Sequence, residues 1–217
     1  MNSRFAIIMA VLVVGLIGLL VVTSNNNGEN GEATTPSNNV YGEGESGVTL
    51  IEYGDFQCPA CAAYYPIVKQ IKADFGEEIV FQYKHFPLIE IHPNAMVAHR
   101  ASEAAAKQDK FWDMHDILFE RQQEWADSND AQQIIDGYAN EIGLDFDQYK
   151  EDAASSAVLG VINADRETGN ELGITGTPGF VLNGEVIDEL PREYEDTKAF
   201  IEQAIEEAEA KDEEETQ

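Results

Sequence analysis

The pattern of apolar and polar residues changes several times along the chain, and it begins with an uninterrupted apolar run. The 18 residues from Phe5 to Val22 carry no charge, which is long enough for a helix to cross a hydrocarbon core of about 30 Å. Arg4 precedes this run and the next basic residue is Lys69, so the positive-inside rule predicts a cytoplasmic N-terminus and an exported remainder. We predict an uncleaved membrane anchor over residues 1–23. A cleaved secretion signal is the alternative, but its apolar region is rarely so long and no Ala-x-Ala site follows.

The segment after the anchor is polar. Residues 24–47 are mostly Asn, Gly, Ser, Thr and Glu, a composition that buries no core and is typical of a flexible linker. The apolar pattern resumes at Val48, so we predict a folded domain over residues 48–210. Residues 211–217 are mainly acidic, and we predict a solvated tail there.

The first part of the folded domain has the pattern of a βαβ unit. Val48–Tyr53 and Ile79–Phe86 have the length and composition of strands. Between them, Pro59 suits the first turn of a helix, and apolar residues follow on one helical face: Tyr65, Val68, Ile71 and Phe75. Because the whole unit occupies fewer than 40 residues, we expect the two strands to be parallel.

The second part is helical and then returns to strands. Residues 92–172 show helical periodicity. Two short strands then flank Asn183–Gly184, a dipeptide that favours a type I′ hairpin turn. A final helix is predicted over residues 196–210. The predicted order is βαβ, a helical insertion of about 80 residues, and ββα, which defines an α/β fold with one preceding transmembrane helix.

The charge of the chain excludes one class of partner. It has 41 acidic and 13 basic residues, and a formal net charge of −28. Such a chain has no basic surface with which to displace counterions from phosphates, so we predict no nucleic-acid partner. The acidic excess indicates a well-solvated surface.

The two cysteines carry the candidate chemistry. Cys58 and Cys61 are the chain's two cysteines, and they stand where the first strand meets the first helix. A thiol at a helix start faces free backbone N–H groups, which stabilise its thiolate. Cys58 is therefore predicted to react with a substrate sulfur, and Cys61, one turn further, to resolve the mixed disulfide.

Two other interpretations of the cysteine pair are open. A small structural disulfide has the same spacing. A metal site needs two further ligands, and the chain has four histidines but no second pair with ligand spacing. The motifs elsewhere in the chain, described next, favour a redox site without a metal over these two interpretations.

The order of elements and several motifs together resemble the DsbA-like thiol–disulfide oxidoreductases, a thioredoxin-fold family with a helical insertion. The similarity extends from about Tyr41 to Ala210 and is nearest to the membrane-anchored or secreted bacterial type. Five motifs carry it: Asp55–Cys61, Lys84–Leu88, His92–Ala95, Phe111–Trp112 with His115, and Gly173–Pro178.

This resemblance implies roles for four further residues. Pro178 matches the proline that follows a cis peptide bond and lies against the cysteines, and Thr177 presents its backbone to an extended substrate segment. Glu52 matches a buried acid that relays the proton of the buried thiol, with a pKa raised by desolvation. Lys84 matches a residue that pairs with this acid. From the residues alone, an edge-strand carboxylate pointing to water is the alternative for Glu52, and a surface lysine is the alternative for Lys84.

The resemblance also implies a function and partners. These are disulfide transfer to reduced, unfolded exported proteins, no bound cofactor, and reoxidation by a membrane quinone reductase of the DsbB or vitamin K epoxide reductase type. A reductase or isomerase, and a peptide-binding module without catalysis, are the alternatives. Ala60 departs from the His, Tyr or Phe that the family often has there, so the helix terminus must provide most of the thiolate stabilisation.

Overall fold

The computed structural model describes residues 35–215, with side-chain surroundings through residue 211. The predicted anchor at residues 1–23 and the first part of the predicted linker lie outside the described residues. Within residues 35–215, no helix is both long and apolar enough to span a membrane.

A mixed sheet forms the centre of the fold. The described residues form five strands: β1 (Asn39–Tyr41), β2 (Val48–Gly54), β3 (Ile79–His85), β4 (Gly179–Leu182) and β5 (Glu185–Ile187). Their order across the sheet is β1-β3-β2-β4-β5. Strands β2 and β3 are parallel, as predicted for the βαβ unit, and the other neighbouring pairs are antiparallel.

Helices connect and cover the strands. Over residues 35–215 they are α1 (Pro59–Phe75), α2 (Ala95–Ala106), α3 (Phe111–Glu120), α4 (Gln122–Trp125), α5 (Ala131–Glu141), α6 (Phe146–Ala154), α7 (Ser156–Glu171) and α8 (Tyr194–Glu215). Helix α1 joins β2 to β3, and helices α2 to α7 form the predicted insertion between β3 and β4. The predicted hairpin is also confirmed, because Asn183 and Gly184 have φ angles of 50° and 85°.

The core has two main parts, and the cysteine pair belongs to one of them. Helices α1 and α8 cover one face of the sheet, where Leu50, Phe81 and Ile201 are buried together. The helical insertion has its own core around Trp125. Cys61 belongs to this second cluster, so the loop between β2 and α1 is held between sheet and insertion.

The folded domain begins before the predicted boundary at residue 48. Asn39–Tyr41 forms β1, which pairs with β3, and the Ser37 hydroxyl donates to Asp165 at 2.6 Å. The predicted linker over residues 24–47 is therefore wrong for its last part. The physical reason is that backbone pairing and polar contacts hold this segment, and neither produces an apolar pattern.

The predicted tail is also partly helical. Helix α8 continues to Glu215, into the segment predicted as a solvated tail at 211–217. Glu, Ala and Lys are strong helix formers, and their propensity extends the helix beyond its last buried residues.

Candidate active site

Cys58 lies at the start of helix α1, where the sequence predicted it. It is the N-cap residue, with extended backbone angles, and Pro59 occupies the first helical turn. Its amide donates to the Asp55 carbonyl at 3.0 Å, and its Sγ lies 3.5 Å from the Thr177 carbonyl oxygen. Cys58 keeps 7% of its surface exposed and Cys61 none. Both are free thiols, and Cys61 is the more deeply enclosed of the two.

The surroundings of Cys58 favour its thiolate. A hydrogen bond from the Cys61 thiol lowers the pKa of Cys58 from 9.0 to about 5. Burial opposes this shift, while the side chain of Thr177 and the backbone N–H groups of Cys61 and Ala60 contribute to it. Ala60 thus stabilises the thiolate through its backbone, as the helix start predicts.

The surroundings of Cys61 favour its protonated thiol over the thiolate. Burial raises its pKa well above the ordinary value of 9.0, and the Cys58 and Glu52 charges raise it further. The Asp55 amide, 3.5 Å from the Cys61 Sγ, opposes this only in part. A Cys61 sulfur released from a disulfide therefore requires a proton.

The Thr177–Pro178 peptide bond is cis, which confirms the geometry implied by the resemblance. The Thr177 carbonyl faces the Cys58 sulfur across the gap between the β4 loop and the start of α1. The peptide backbone of this loop therefore forms one wall of the site.

Glu52 is buried beneath the cysteines, as expected. It lies on β2 and is 2% exposed. Burial raises its pKa to about 8, the positive charge of Lys72 opposes this, and the Cys58 charge adds to it. At neutral pH the carboxyl is therefore protonated and able to donate.

Lys84 does not pair with Glu52, so this prediction is wrong. In the parallel register Glu52 lies opposite Tyr83, and Lys84 lies opposite Tyr53. Because side chains alternate between the faces of a strand, Lys84 points to the other face of the sheet. There it is buried, forms an ion pair with Asp165 at 3.2 Å and donates to the Ser37 carbonyl.

The lysine whose charge reaches Glu52 is Lys72, which the sequence analysis did not identify. It belongs to α1 and is buried. It was missed because the lysine that pairs with Glu52 was sought on the neighbouring strand, β3. The charge that acts on Glu52 comes instead from α1, the helix that packs over the sheet.

Asp55 organises the turn before Cys58. One of its carboxylate oxygens accepts from the Gln57 amide at 2.8 Å, and the other accepts from the Leu88 amide at 2.8 Å. The second oxygen also lies 2.7 Å from His92 Nδ1. Burial raises the Asp55 pKa, but the nearby His99 ring, with Nε2 3.7 Å from the carboxylate, and the hydrogen bonds from His92 and Leu88 outweigh it and give a pKa of about 2. This fixed charge ties the cysteine loop to the segment after β3.

Two glutamines fasten the same loop to the helical insertion. The Gln122 side chain donates to the carbonyls of Phe56 and Cys58 at 2.7 and 3.0 Å. Gln57 donates to the Ala126 carbonyl at 2.6 Å and accepts from the Asn94 amide at 2.7 Å. Asp55 and Gln57 stand within the Asp55–Cys61 motif, but nothing in the sequence pointed to Gln122.

The histidines form no metal centre in the part of the chain that the structure describes. His85 Nδ1 lies 2.7 Å from His99 Nδ1, and His85 Nε2 lies 2.7 Å from Glu103. Burial lowers the pKa of His99 and of His115 to about 4. These two rings are therefore neutral at physiological pH and act as polar core residues.

A reactive thiol at a helix start, a buried partner thiol and an opposing cis-proline define a dithiol protein of the thioredoxin class. A family model described as thioredoxin matches residues 34–203, and the chain belongs to that family. With its helical insertion, the chain is a DsbA-like thiol–disulfide oxidoreductase.

Similar proteins of known structure cover nearly the whole described domain. BdbD from Bacillus subtilis, in its oxidised form, is 25% identical with a TM-score of 0.68, over 79% of this chain and 96% of that one. A thioredoxin-like oxidoreductase from Silicibacter pomeroyi is 25% identical with a TM-score of 0.64, over 84% and 99%. DsbA structures from Wolbachia pipientis, at 20% identity, share the fold.

Curated relatives are similar in sequence over a part of their length. The Na⁺/H⁺ antiporter NhaA 1 of Mycolicibacterium gilvum is 38% identical over 149 residues, which is 67% of this chain and 23% of that protein. The chain therefore spans about a quarter of the length of such relatives.

Proposed function

We propose that this oxidoreductase introduces disulfide bonds into exported proteins through the Cys58–Cys61 disulfide. The observation that carries the proposal is the contrast between the two thiols: the pKa of Cys58 is lowered to about 5, and that of Cys61 is raised. A stable Cys58 thiolate stabilises the reduced pair relative to the disulfide. The disulfide is thereby made a stronger oxidant, and electrons pass from the substrate to the pair.

The first step forms a mixed disulfide. A substrate thiolate attacks the Cys58 sulfur, the new S–S bond forms, and the Cys58–Cys61 bond breaks with its electron pair on Cys61. Attack at Cys58 is favoured because Cys61 has no exposed surface. The leaving Cys61 sulfur takes a proton from Glu52, which is protonated at neutral pH since its pKa is about 8.

The second step releases the product. A second substrate thiolate attacks the substrate sulfur of the mixed disulfide and displaces Cys58, which leaves readily as a thiolate because of its low pKa. The substrate has lost two electrons and two protons. The enzyme holds both electrons and one proton, on Cys61, and the other proton has passed to solvent. Of the two protons that the substrate thiols release, one returns to Glu52, which gave its own proton to Cys61, so one proton in all remains in solvent.

The loop of Thr177 and Pro178 is the proposed binding surface for the substrate. The Thr177 carbonyl lies beside the reactive sulfur, where the backbone of an extended substrate segment can pair with it. An unfolded protein offers such segments, and a backbone contact selects no particular side chain. This supports a broad range of substrates.

The proposed location is the outer side of the cytoplasmic membrane, with the N-terminus in the cytoplasm. It is supported by the apolar run from Phe5 to Val22 and the basic residue before it. Reoxidation is assigned to a membrane quinone reductase of the DsbB or vitamin K epoxide reductase type, which would remove two electrons from the reduced pair.

Disulfide transfer to a reduced, unfolded protein tests the function, with refolded activity of that substrate as the readout. Cys58→Ser should abolish transfer. Cys61→Ser, offered a substrate in its disulfide form, should accumulate the mixed disulfide between Cys58 and that substrate, because the Cys58 thiolate displaces one substrate thiolate and no second thiol resolves the bond; a non-reducing gel shows the product. A double Cys58→Ser, Cys61→Ser variant that still supports the cellular role would contradict the enzyme and favour a peptide-binding module. Preferential reduction of disulfides by the wild-type protein in a glutathione buffer would contradict the oxidase direction.

A further inference from the structure

Lys72 is a buried cation enclosed by aromatic rings. Its amino group lies 3.6 Å from the centre of the Trp112 ring, 4.7 Å from that of Tyr41 and 5.9 Å from that of Phe81. The residue is 6% exposed, and it has no ion pair with another described residue. Cation–π attraction to three rings thus stabilises a lysine that lacks a carboxylate partner. We call these three rings the aromatic cage.

The aromatic cage draws on three separate parts of the fold. Tyr41 comes from β1, Phe81 from β3 and Trp112 from α3. The indole N–H of Trp112 donates to the Val40 carbonyl at 2.9 Å, which fastens β1 beside the cage. A lysine held by three elements has a fixed position relative to the sheet.

Lys72 belongs to α1, and Glu52 lies on the face of the sheet that α1 covers. Side chains at β2 positions 48, 50 and 52 point to one face of the sheet, the face on which Leu50 packs with Ile71 of α1. The two charges influence each other: Lys72 favours the ionised form of Glu52, and Glu52 favours the charged form of Lys72. Burial lowers the pKa of Lys72 to about 8, so both groups change charge in the same pH range.

Other charged groups face these two residues. Asp116 of α3 favours the charged form of Lys72, and Lys69 of α1 disfavours it. On the side of Glu52, the Cys58 charge raises its pKa. Glu52 in turn raises the pKa of Cys61 and of Tyr83. Lys72 is the cation that lowers the pKa of Glu52.

Lys72 also reaches solvent at the end of α1 opposite the cysteines. It lines a cleft of about 610 Å³. The 17 residues of α1 separate this cleft from Cys58 by roughly 25 Å. Four acidic residues also line the cleft: Glu43, Asp74, Glu77 and Glu78. Protons can therefore be exchanged with Lys72 from the side that a substrate at Thr177 does not cover.

We propose that Lys72, held in the aromatic cage, is a positioning residue that acts through Glu52 and keeps its carboxyl able both to donate and to accept a proton near neutral pH. Without a nearby cation, a carboxyl so deeply buried would hold its proton too firmly to lose it. Glu52 could not then cycle with Cys61. This inference rests on the role of Glu52 in the proposed function.

The protonation of Glu52 in the oxidised protein tests the proposal, because neither cysteine titrates in that form. The carboxylic acid C=O band of Glu52 is followed by infrared spectroscopy from pH 5 to 11, and subtraction of a Glu52→Gln spectrum assigns it. Lys72→Met removes the charge and keeps most of the side-chain volume. It should raise the midpoint of Glu52 by about one pH unit or more. Lys72→Arg retains the cation and should leave the midpoint within a few tenths of the wild-type value.

Lys69→Met is the matched control. It removes the same charge from the same helix, but Lys69 is half exposed and pairs with Glu120 at 2.6 Å. The Glu52 midpoint should not change in this variant. Lys72→Gln, a second neutral variant, is measured in parallel in case Lys72→Met does not fold. An unchanged midpoint in a folded neutral Lys72 variant, or an equal change in Lys69→Met, would overturn the proposal.

The outcome is separate from that of the proposed function, because the oxidised protein transfers no disulfide in this experiment. A raised midpoint together with absent disulfide transfer would refute the oxidase and leave the electrostatic role of Lys72 intact. An unchanged midpoint together with normal transfer would refute only the role of Lys72.

Discussion

The low pKa of Cys58 predicts that the reduced protein becomes more stable as the pH rises. In the folded protein this pKa is about 5, against 9.0 for an unperturbed thiol. A group whose pKa is lowered by folding stabilises the folded state above its unfolded pKa, and the contribution is lost as the pH falls through the folded pKa. The relevant window is therefore pH 5 to 9.

The magnitude follows from the two pKa values. At pH 7 the folded state is favoured by a factor of about 100, or roughly 3 kcal/mol, and at pH 5 by less than about 0.5 kcal/mol. Urea unfolding of the reduced protein, with Cys58→Ser as reference at each pH, isolates this contribution from that of other titrating groups. With a slope of about 2 kcal/mol/M, the difference in midpoint should grow by more than about 1 M between pH 5 and pH 7.

The comparison also gives a clear refutation. If reduced wild-type protein and Cys58→Ser keep a constant difference in unfolding free energy from pH 5 to pH 8, Cys58 is not a stabilised thiolate. A strongly oxidising Cys58–Cys61 disulfide would then have no stabilised thiolate to explain it. The oxidised protein, in which Cys58 does not titrate, should show no such pH-dependent difference from the reference.

Two further substitutions test other parts of the site. Glu52→Gln cannot exchange a proton, so reduction of the Cys58–Cys61 disulfide, followed by stopped flow, should slow by about 10²-fold. The rate of Cys58 alkylation should not change. An unchanged rate of disulfide reduction would exclude Glu52 as the proton donor. Asp55→Asn removes a charge that accepts hydrogen bonds from the Gln57 and Leu88 amides, and should cost about 2–3 kcal/mol of unfolding free energy. A loss below about 0.5 kcal/mol would show that this carboxylate does not organise the loop.

The sequence predicted the architecture well because periodicity records burial directly. The parallel β2–β3 pair, the helical insertion and the Asn183–Gly184 turn each follow from local patterns. It failed at β1, because Asn39–Tyr41 is held by pairing with β3 and by the Trp112 side chain rather than by an apolar stripe.

The site was predictable only where it is local in sequence. The Cys-x-x-Cys spacing and the helix start placed both thiols and suggested their different reactivities. Lys84 was assigned to Glu52 on the neighbouring strand, but a one-residue offset puts the two side chains on opposite faces of the sheet. Lys72 comes from the helix that packs over the sheet, and Gln122 comes from a helix of the insertion that contacts the cysteine loop. Both placements are tertiary, and no sequence spacing encodes them.

The measurement that tests the central claim most directly is the equilibrium of the Cys58–Cys61 pair with a glutathione redox buffer at pH 7. Alkylation of free thiols, followed by mass spectrometry, gives the reduced fraction at each ratio of reduced to oxidised glutathione. The stabilised Cys58 thiolate predicts a strongly oxidising pair, with a potential of about −180 mV or higher. A potential near the thioredoxin value of about −270 mV would contradict the oxidase and make the protein a reductase.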